Sequence, residues 1–150
     1  MRDEYYMGLA LKQAAIAAEL DEVPVGAVVV SQWGQIIGLG HNLKESRRDA
    51  TCHAEMMAIR EACHSLNSWR LLFATIYVTL EPCPMCAGAM VQARLQRLIY
   101  AAPDPKAGAA GSIVDLLRFS AFNHQLEVIG GLREVEATRL LKDFFQGKRK

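Results

Sequence analysis

Two short stretches hold most of the reactive chemistry in this sequence: Cys52-His53-Ala54-Glu55 and Glu81-Pro82-Cys83-Pro84-Met85-Cys86. Among their residues are the imidazole of His53, the carboxylate of Glu55 and the thiols of Cys83 and Cys86, the inventory of a zinc site with a proton shuttle. His53, Cys83 and Cys86 would make a three-ligand site, whose fourth tetrahedral position stays open for water, whereas structural zinc is normally closed by four ligands. Glu55, beside the metal but not bound to it, is then placed to move protons. Cys52 and Cys63 fit neither stretch's ligand pattern and are expected to be small, partly buried residues. His41, His64 and His124 are expected to be structural rather than ligands.

Helix geometry decides whether these groups can meet. Pro84 directly after Cys83 suits the first turn of a helix, where its missing N–H has no intrahelical use. Cys83 then sits at the helix mouth with Cys86 three residues on, on the same side. Backbone N–H groups at that end favour thiolate over thiol. His53 and Glu55 are two apart, a poor same-face spacing, but side chains of a first turn lean back toward the open end. The spacing therefore predicts two helices that aim their N-termini at one metal ion. A lone C-x-x-C also occurs in redox motifs and as half of a structural zinc site. H-x-E followed by P-C-x-x-C is the arrangement of the zinc deaminases.

Further residues resemble the bacterial tRNA-specific adenosine deaminases, of the cytidine deaminase-like superfamily. They are Glu22-Val23-Pro24-Val25-Gly26-Ala27, Asn42, His53-Ala54-Glu55, Pro82-Cys83-Pro84-Met85-Cys86, Asp104-Pro105-Lys106-Ala107-Gly108, Asn123-His124 and Phe144-Phe145. The match runs nearly end to end. Its central motifs belong to the wider superfamily, while the Asp104 to Gly108 stretch and the tail narrow it to the tRNA branch. Ala101 departs from the pattern, standing where Gly is expected after Tyr100. The resemblance implies conversion of adenosine to inosine at the wobble position of a tRNA anticodon loop, one zinc ion per chain, and a homodimer. It implies that Asn42 fixes the purine by hydrogen bonding. Ala54 and Pro82-Cys83 are expected to hold the tetrahedral intermediate with their peptide groups.

Loops of RNA are read by splaying bases into pockets and by contacts to sugar and phosphate. Asp104 is accordingly expected to accept a hydrogen bond from a ribose 2′-hydroxyl and Lys106 to meet a phosphate. Phe145 and the basic tail, Lys148, Arg149 and Lys150, are expected to grip the loop from the far side. Two other readings compete: a deaminase of a free base or nucleoside such as guanine or cytosine, and a non-catalytic zinc-stabilised RNA-binding module. The small tetrameric cytidine deaminases place Cys where this chain has His53. A structural zinc site has no use for Glu55.

Composition bounds the rest. With 150 residues, the chain is expected to be one deaminase domain over 1–150, able to bury a core without disulfides. Four cysteines, two of them committed to metal, point to a reducing cytoplasm. The N-terminal stretch lacks a signal peptide's uninterrupted apolar region, and no stretch is long and apolar enough to span a membrane. A net charge of +1 argues against a general nucleic-acid sponge, so RNA binding must be local.

The elements that must position the site follow from periodicity. Met7, Leu11, Ala14, Ala15 and Ala18 recur at helical spacing within Met1 to Glu19. Val25 to Val30 and Gln35 to Gly40 read as a hairpin around Ser31-Gln32-Trp33-Gly34. Asn42 to Ala50 reads as a loop into the His53 helix, which is expected to bury Ala54, Met57, Ala58 and Ala62. Strands are expected at Thr75 to Leu80, Leu98 to Ala101 and Leu126 to Ile129, and helices at Ile113 to Phe119 and Leu132 to Phe145. Ala102 to Ser112, rich in Gly, Ala and Pro, reads as a loop. Strands alternating with helices after a hairpin predict an α/β fold. The expected architecture is the three-layer α/β/α cytidine deaminase-like fold, with a mixed, mostly parallel five-stranded sheet and helices on both faces.

Overall fold

The computed structural model describes residues 2–148. In chain order its elements are α1 (Arg2–Glu19), β1 (Gly26–Val30), β2 (Ile36–His41), α2 (Lys44–Arg47), α3 (Ala54–Leu66), β3 (Thr75–Leu80), α4 (Pro84–Gln92), β4 (Arg97–Ala102), β5 (Glu127–Gly130) and α5 (Glu134–Lys148). Arg149 and Lys150 of the basic tail lie outside the described residues.

The strands form one five-stranded sheet in the order β2-β1-β3-β4-β5. β1 is antiparallel to both of its neighbours, while β3, β4 and β5 are parallel, so every strand of the sheet but β1 points the same way. The carboxyl ends of β2, β3 and β4 therefore share one edge with the amino end of β1. Open α/β sheets gather ligands at such an edge.

Side chains alternate between the two faces of a strand. Ala27, Val29, Ile76, Val78 and Leu98 pack with α3 and α4, whereas Val28, Val30, Tyr77 and Ile99 pack with α1 and α5. Helices on both faces give three layers. β1 is buried along its whole length, which is why it reads as a continuous apolar run rather than an alternating one.

α3 rests on β2 at a distance that only glycine permits. A Cβ on Gly40 would lie 2.2 Å from the Ala54 carbonyl oxygen, and one on Gly38 2.2 Å from that of Ala58. These two positions set the height of the helix that begins beside His53. Its buried face is Ala54, Glu55, Ala58, Ile59 and Ala62. Met57, expected in that face, is only half-buried, because it lies over Gly40 on the edge strand β2 and has no further strand to cover it.

Two local expectations fail for a shared reason. Asn42 to Ala50 is not all loop, since α2 forms within it. The Glu22 carboxylate accepts hydrogen bonds from the Glu45 and Ser46 amides, donors that the first turn of a helix leaves unpaired. The expected helix at Ile113 to Phe119 does not form. Its amides find other partners, Ile113 N–H at the Gly108 carbonyl (2.9 Å) and Leu116 N–H at that of Ala109 (3.0 Å), while Asp115 takes the Arg118 amide and guanidinium. The parallel crossing from β4 to β5 is consequently irregular. Among the described residues, no helix is long and apolar enough to cross a membrane.

Candidate active site

His53 and Cys83 occupy the N-cap positions of α3 and α4, and neither side chain caps its own helix. Both can therefore turn toward each other. Pro84 stands at the start of α4, with Cys86 following in the same turn. His53 Nδ1 lies 3.6 Å from Cys83 Sγ and 3.5 Å from Cys86 Sγ, and the three donor atoms all fall within 4.8 Å of one another. This trio could hold a metal ion.

The electrostatics suit a cation. The hydrogen bond from Cys86 holds the Cys83 thiol down to about 4, against the effect of burial and with help from His53. The bond to Cys83 raises His53 above its ordinary value. Cys86 is pushed up, first by its hydrogen bond to Cys83 and then by burial. A thiolate thus faces two helix N-termini, whose amides favour negative charge there.

Glu55, in the first turn of α3, is 4 % exposed. Burial pushes its carboxyl up to about 7, against a hydrogen bond from its own backbone N–H. A carboxyl in that range can both take and return a proton near neutrality. His53, Glu55 and Cys83 line a cavity of about 220 Å³, smaller than the roughly 300–1,000 Å³ of drug-sized sites. Its other walls come from the shared strand edge: Val23 and Val25 before β1, Asn42 after β2, Leu80 at the end of β3, and Asp104 and Ala107 after β4.

Asn42 is held from both ends. Its Oδ1 accepts the Ala54 N–H at 2.9 Å and its Nδ2 donates to the Val23 carbonyl at 3.0 Å, which leaves one amide proton and one lone pair for a ligand. The Ala54 N–H is thereby engaged within the protein, as is the Pro82 carbonyl, which accepts the Ala109 N–H at 2.8 Å. Asp104 Oδ1 accepts the Lys106 and Ala107 amides at 3.0 and 3.2 Å, the kind of turn that Asp side chains stabilise. Lys106 lies on the other side of that turn, lining a second cavity of about 590 Å³ with Lys142, Phe145 and Lys148.

The residues singled out from the sequence thus divide between two cavities. His53, Cys83, Glu55, Asn42 and Asp104 line one, with Cys86 buried beside His53, and Lys106 and Phe145 line the other; Ala54 and Pro82 line neither. The remaining histidines lie elsewhere: His41 Nδ1 pairs with Gln13 Oε1 at 2.9 Å, His124 Nε2 donates to the Leu95 carbonyl at 2.6 Å, and His64 is in the last turn of α3. Cys52 is buried and Cys63 half-buried.

Sequence reasoning gave no role to two acids that stand in its motifs, Glu22 and Glu81, each 1 % exposed and each lining the smaller cavity. Glu22 ties down α2 through the Glu45 and Ser46 amides and the Ser46 hydroxyl. Glu81 accepts the Asp104, Ala110 and Ser112 amides at 2.9, 2.9 and 3.1 Å, and the Ser112 hydroxyl as well. A signal was present: Glu81 directly follows the apolar run of β3 and Glu22 precedes that of β1 by a few residues, and an unpaired carboxylate is too costly to keep in such buried surroundings.

Burial alone would raise the Glu22 carboxyl, but hydrogen bonds from the Ser46 hydroxyl and the Glu45 and Ser46 amides hold it below its ordinary value of 4.5. A depressed folded-state value contributes stability that is present above the unfolded value and lost as pH falls through the folded one. Amide exchange at Glu45 and Ser46 is therefore expected to accelerate as pH is lowered below 4.5, after correction for the intrinsic rate. In Glu22→Gln that acid-dependent change should vanish; its persistence would mean that another group titrates.

Comparison with known proteins agrees with this geometry. A family model described as MafB19-like deaminase matches residues 1–149. The tRNA-specific adenosine deaminase of Bacillus subtilis is 50 % identical over 149 residues, covering 99 % of this chain and 92 % of the relative. That of Haemophilus influenzae is 45 % identical over 147 residues, covering 98 % and 85 %. Among solved structures, a tRNA:A34 deaminase acting in A-to-I editing at the wobble position superposes with a TM-score of 0.87 at 45 % identity, covering 91 % of this chain and 99 % of that one. With a whole-length family match and relatives of this identity spanning almost their full length, the chain belongs to the MafB19-like deaminases and, among them, to the tRNA-specific adenosine deaminase family.

Proposed function

We propose that this protein is a zinc-dependent hydrolase that converts adenosine to inosine at the wobble position of a tRNA anticodon loop. The observation that carries this reading is the convergence of His53, Cys83 and Cys86 beside the buried carboxyl of Glu55, in a cavity open to Asn42 and Asp104. The donor set fits zinc. Bond lengths of about 2.3 Å to sulfur and about 2.0–2.1 Å to nitrogen, at tetrahedral angles, place the two donors about 3.6 Å apart; the N···S separations are 3.6 and 3.5 Å. When bound there, zinc lowers the pKa of a water molecule toward neutrality and so supplies the nucleophile.

The chain's own residues do the rest. Glu55 takes a proton from the attacking water and passes it to the ring nitrogen next to the reacting carbon; it then takes the second proton, from the hydroxyl formed on that carbon, and delivers it to the exocyclic amine, which leaves as ammonia. Asn42 offers its remaining proton and lone pair to the purine edge. The peptide groups around Ala54 and Pro82-Cys83 hold the tetrahedral intermediate, the Ala54 N–H and the Pro82 carbonyl being fixed in place by Asn42 and Ala109. A base within a duplex cannot reach such a cavity, so the substrate nucleotide must be unpaired or flipped out. Asp104 meets its sugar side, and the cavity between Lys106 and Phe145 accepts a neighbouring nucleotide, its base on the ring and its phosphate at the lysines.

The four cysteines are free thiols, the state that a reducing cytoplasm maintains, and the cytoplasm is part of the proposal. So is the homodimer implied by the resemblance, for which a solution mass of two chains is the test. Ammonia release from an anticodon stem-loop, compared with free adenosine, cytidine and guanine, tests the substrate; equal rates on free adenosine would remove tRNA specificity. For Asp104→Asn, the ratio of rates on matched RNA and DNA stem-loops is expected to fall about tenfold, the worth of one hydrogen bond to a charged acceptor. An unchanged ratio would end the sugar-sensing role.

A further inference from the structure

Glu81 follows β3 immediately before Pro82-Cys83, yet none of the four hydrogen bonds that its carboxylate accepts comes from α4. All four come from the segment from Asp104 to Ser112. That segment is tied further by Gly108 N–H at the Asp104 carbonyl, by Ala109 N–H at the Pro82 carbonyl, and by its Gly108, Ala109 and Ala110 carbonyls to Ile113, Leu116 and Arg118, but the Glu81 carboxylate joins its two ends, at Asp104 and Ser112. Gly108 packs onto the carboxylate so closely that a Cβ there would fall 2.3 Å from Glu81 Cδ. The segment includes Asp104, whose own side chain shapes the turn between the two cavities.

We infer that Glu81 is a positioning residue: its carboxylate holds the Asp104–Ser112 segment at the height at which Asp104 meets the substrate's sugar, and so sets RNA recognition without touching the reacting atoms. The inference rests on the reading of the smaller cavity as an RNA nucleoside site. The physical basis is acceptor matching. An ionised carboxylate offers about four lone-pair sites, enough for three amides and a hydroxyl, and hydrogen bonds to it are about twice as strong as neutral ones. A glutamine of the same size presents two N–H donors, and on one side these would confront backbone N–H donors. The segment would then lose its anchor while α4, which Glu81 does not contact by hydrogen bond, keeps its place.

The experiment uses zinc-loaded, full-length wild type, Glu81→Gln and the milder Ser112→Ala, assayed on an RNA anticodon stem-loop well below their melting temperatures. In Glu81→Gln the KM is expected to rise about tenfold or more, as loss of charge-assisted hydrogen bonds would produce, with kcat and zinc content little changed. Amide exchange at Asp104, Ala110 and Ser112 should accelerate. Ser112→Ala should move KM in the same direction by a smaller factor, and it decides the matter if Glu81→Gln does not fold. An unchanged KM despite faster exchange would overturn the inference, as would loss of zinc or a fall in kcat alone, either of which would place the effect of Glu81 at the metal helix. If wild type proved inactive on the stem-loop but active on a free base, the substrate reading would fall instead. Amide exchange at the three positions would still report whether Glu81 holds the segment, and unchanged exchange in Glu81→Gln would overturn that.

Discussion

Glu55→Gln is expected to lower turnover by roughly two to four orders of magnitude, the range that a positioned acid–base group supplies, while zinc content and affinity for the stem-loop stay near those of the wild type. The side chain is 4 % exposed and its carboxyl is pushed up to about 7, so it sits near the operating pH in both proton-transfer roles. Glutamine preserves the volume in a buried first turn and avoids the cavity that alanine would leave. What it removes is the ability to exchange a proton. Metal analysis, binding and single-turnover rates on one preparation separate the possibilities. Loss of zinc with activity would make Glu55 a ligand or a scaffold residue rather than a proton carrier.

Cys86→Ala is expected to lose both zinc and stability. Cys86 is fully buried in α4, with its sulfur 3.5 Å from His53 Nδ1, and removing it leaves a two-ligand site whose affinity is too low to hold the ion. Metal that binds only the folded chain stabilises it by about 2.7 kcal/mol when free zinc is a hundredfold above its Kd. For a chain of this length that corresponds to a melting temperature lower by very roughly 5–10 °C. Part of any loss in Cys86→Ala comes from the missing sulfur's packing, so a chelator provides the control. It should lower the melting temperature of the wild type by the metal-dependent amount and leave Cys86→Ala unmoved. Full zinc occupancy in Cys86→Ala would sink the ligand assignment.

Much of this molecule was readable before its structure. Pro84 after Cys83 marks a helix start because proline's fixed φ and missing N–H suit only that turn, and α4 begins there. The apolar runs at Val25 to Val30 and Thr75 to Leu80 became β1 and β3, central strands covered on both faces. The turn at Ser31 to Gly34 made the hairpin, and with α1 and α5 on one face and α3 and α4 on the other, the three layers followed. These are consequences of short-range rules: dihedral limits, the period of a helix or strand, and the burial of one face.

Other features were decided only by the tertiary structure. The sequence by itself determined that His53, Glu55, Cys83 and Cys86 stand in first turns; the reversed direction of β1, and the glycines of β2 that let α3 settle onto the sheet, decided where those turns meet. It did not determine that Lys106 and Phe145 would line a cavity separate from that of Asp104. Nor did it determine that Ile113 to Phe119 would fail as a helix or that Lys44 to Arg47 would succeed as one. Each of those outcomes is a competition for backbone N–H and C=O groups: the Glu22 carboxylate, 23 and 24 positions away, takes the first amides of α2, while the amides of Ile113, Leu116 and Arg118 go to the Gly108 and Ala109 carbonyls and the Asp115 carboxylate. Local propensities differ by well under about 1 kcal/mol per residue, whereas a buried carboxylate must be satisfied or cost several times that. Once the fold brings a carboxylate such as Glu22 to the edge, it recruits the nearest amides, here those of Glu45 and Ser46, and the local preference of the segment that carries them is overruled.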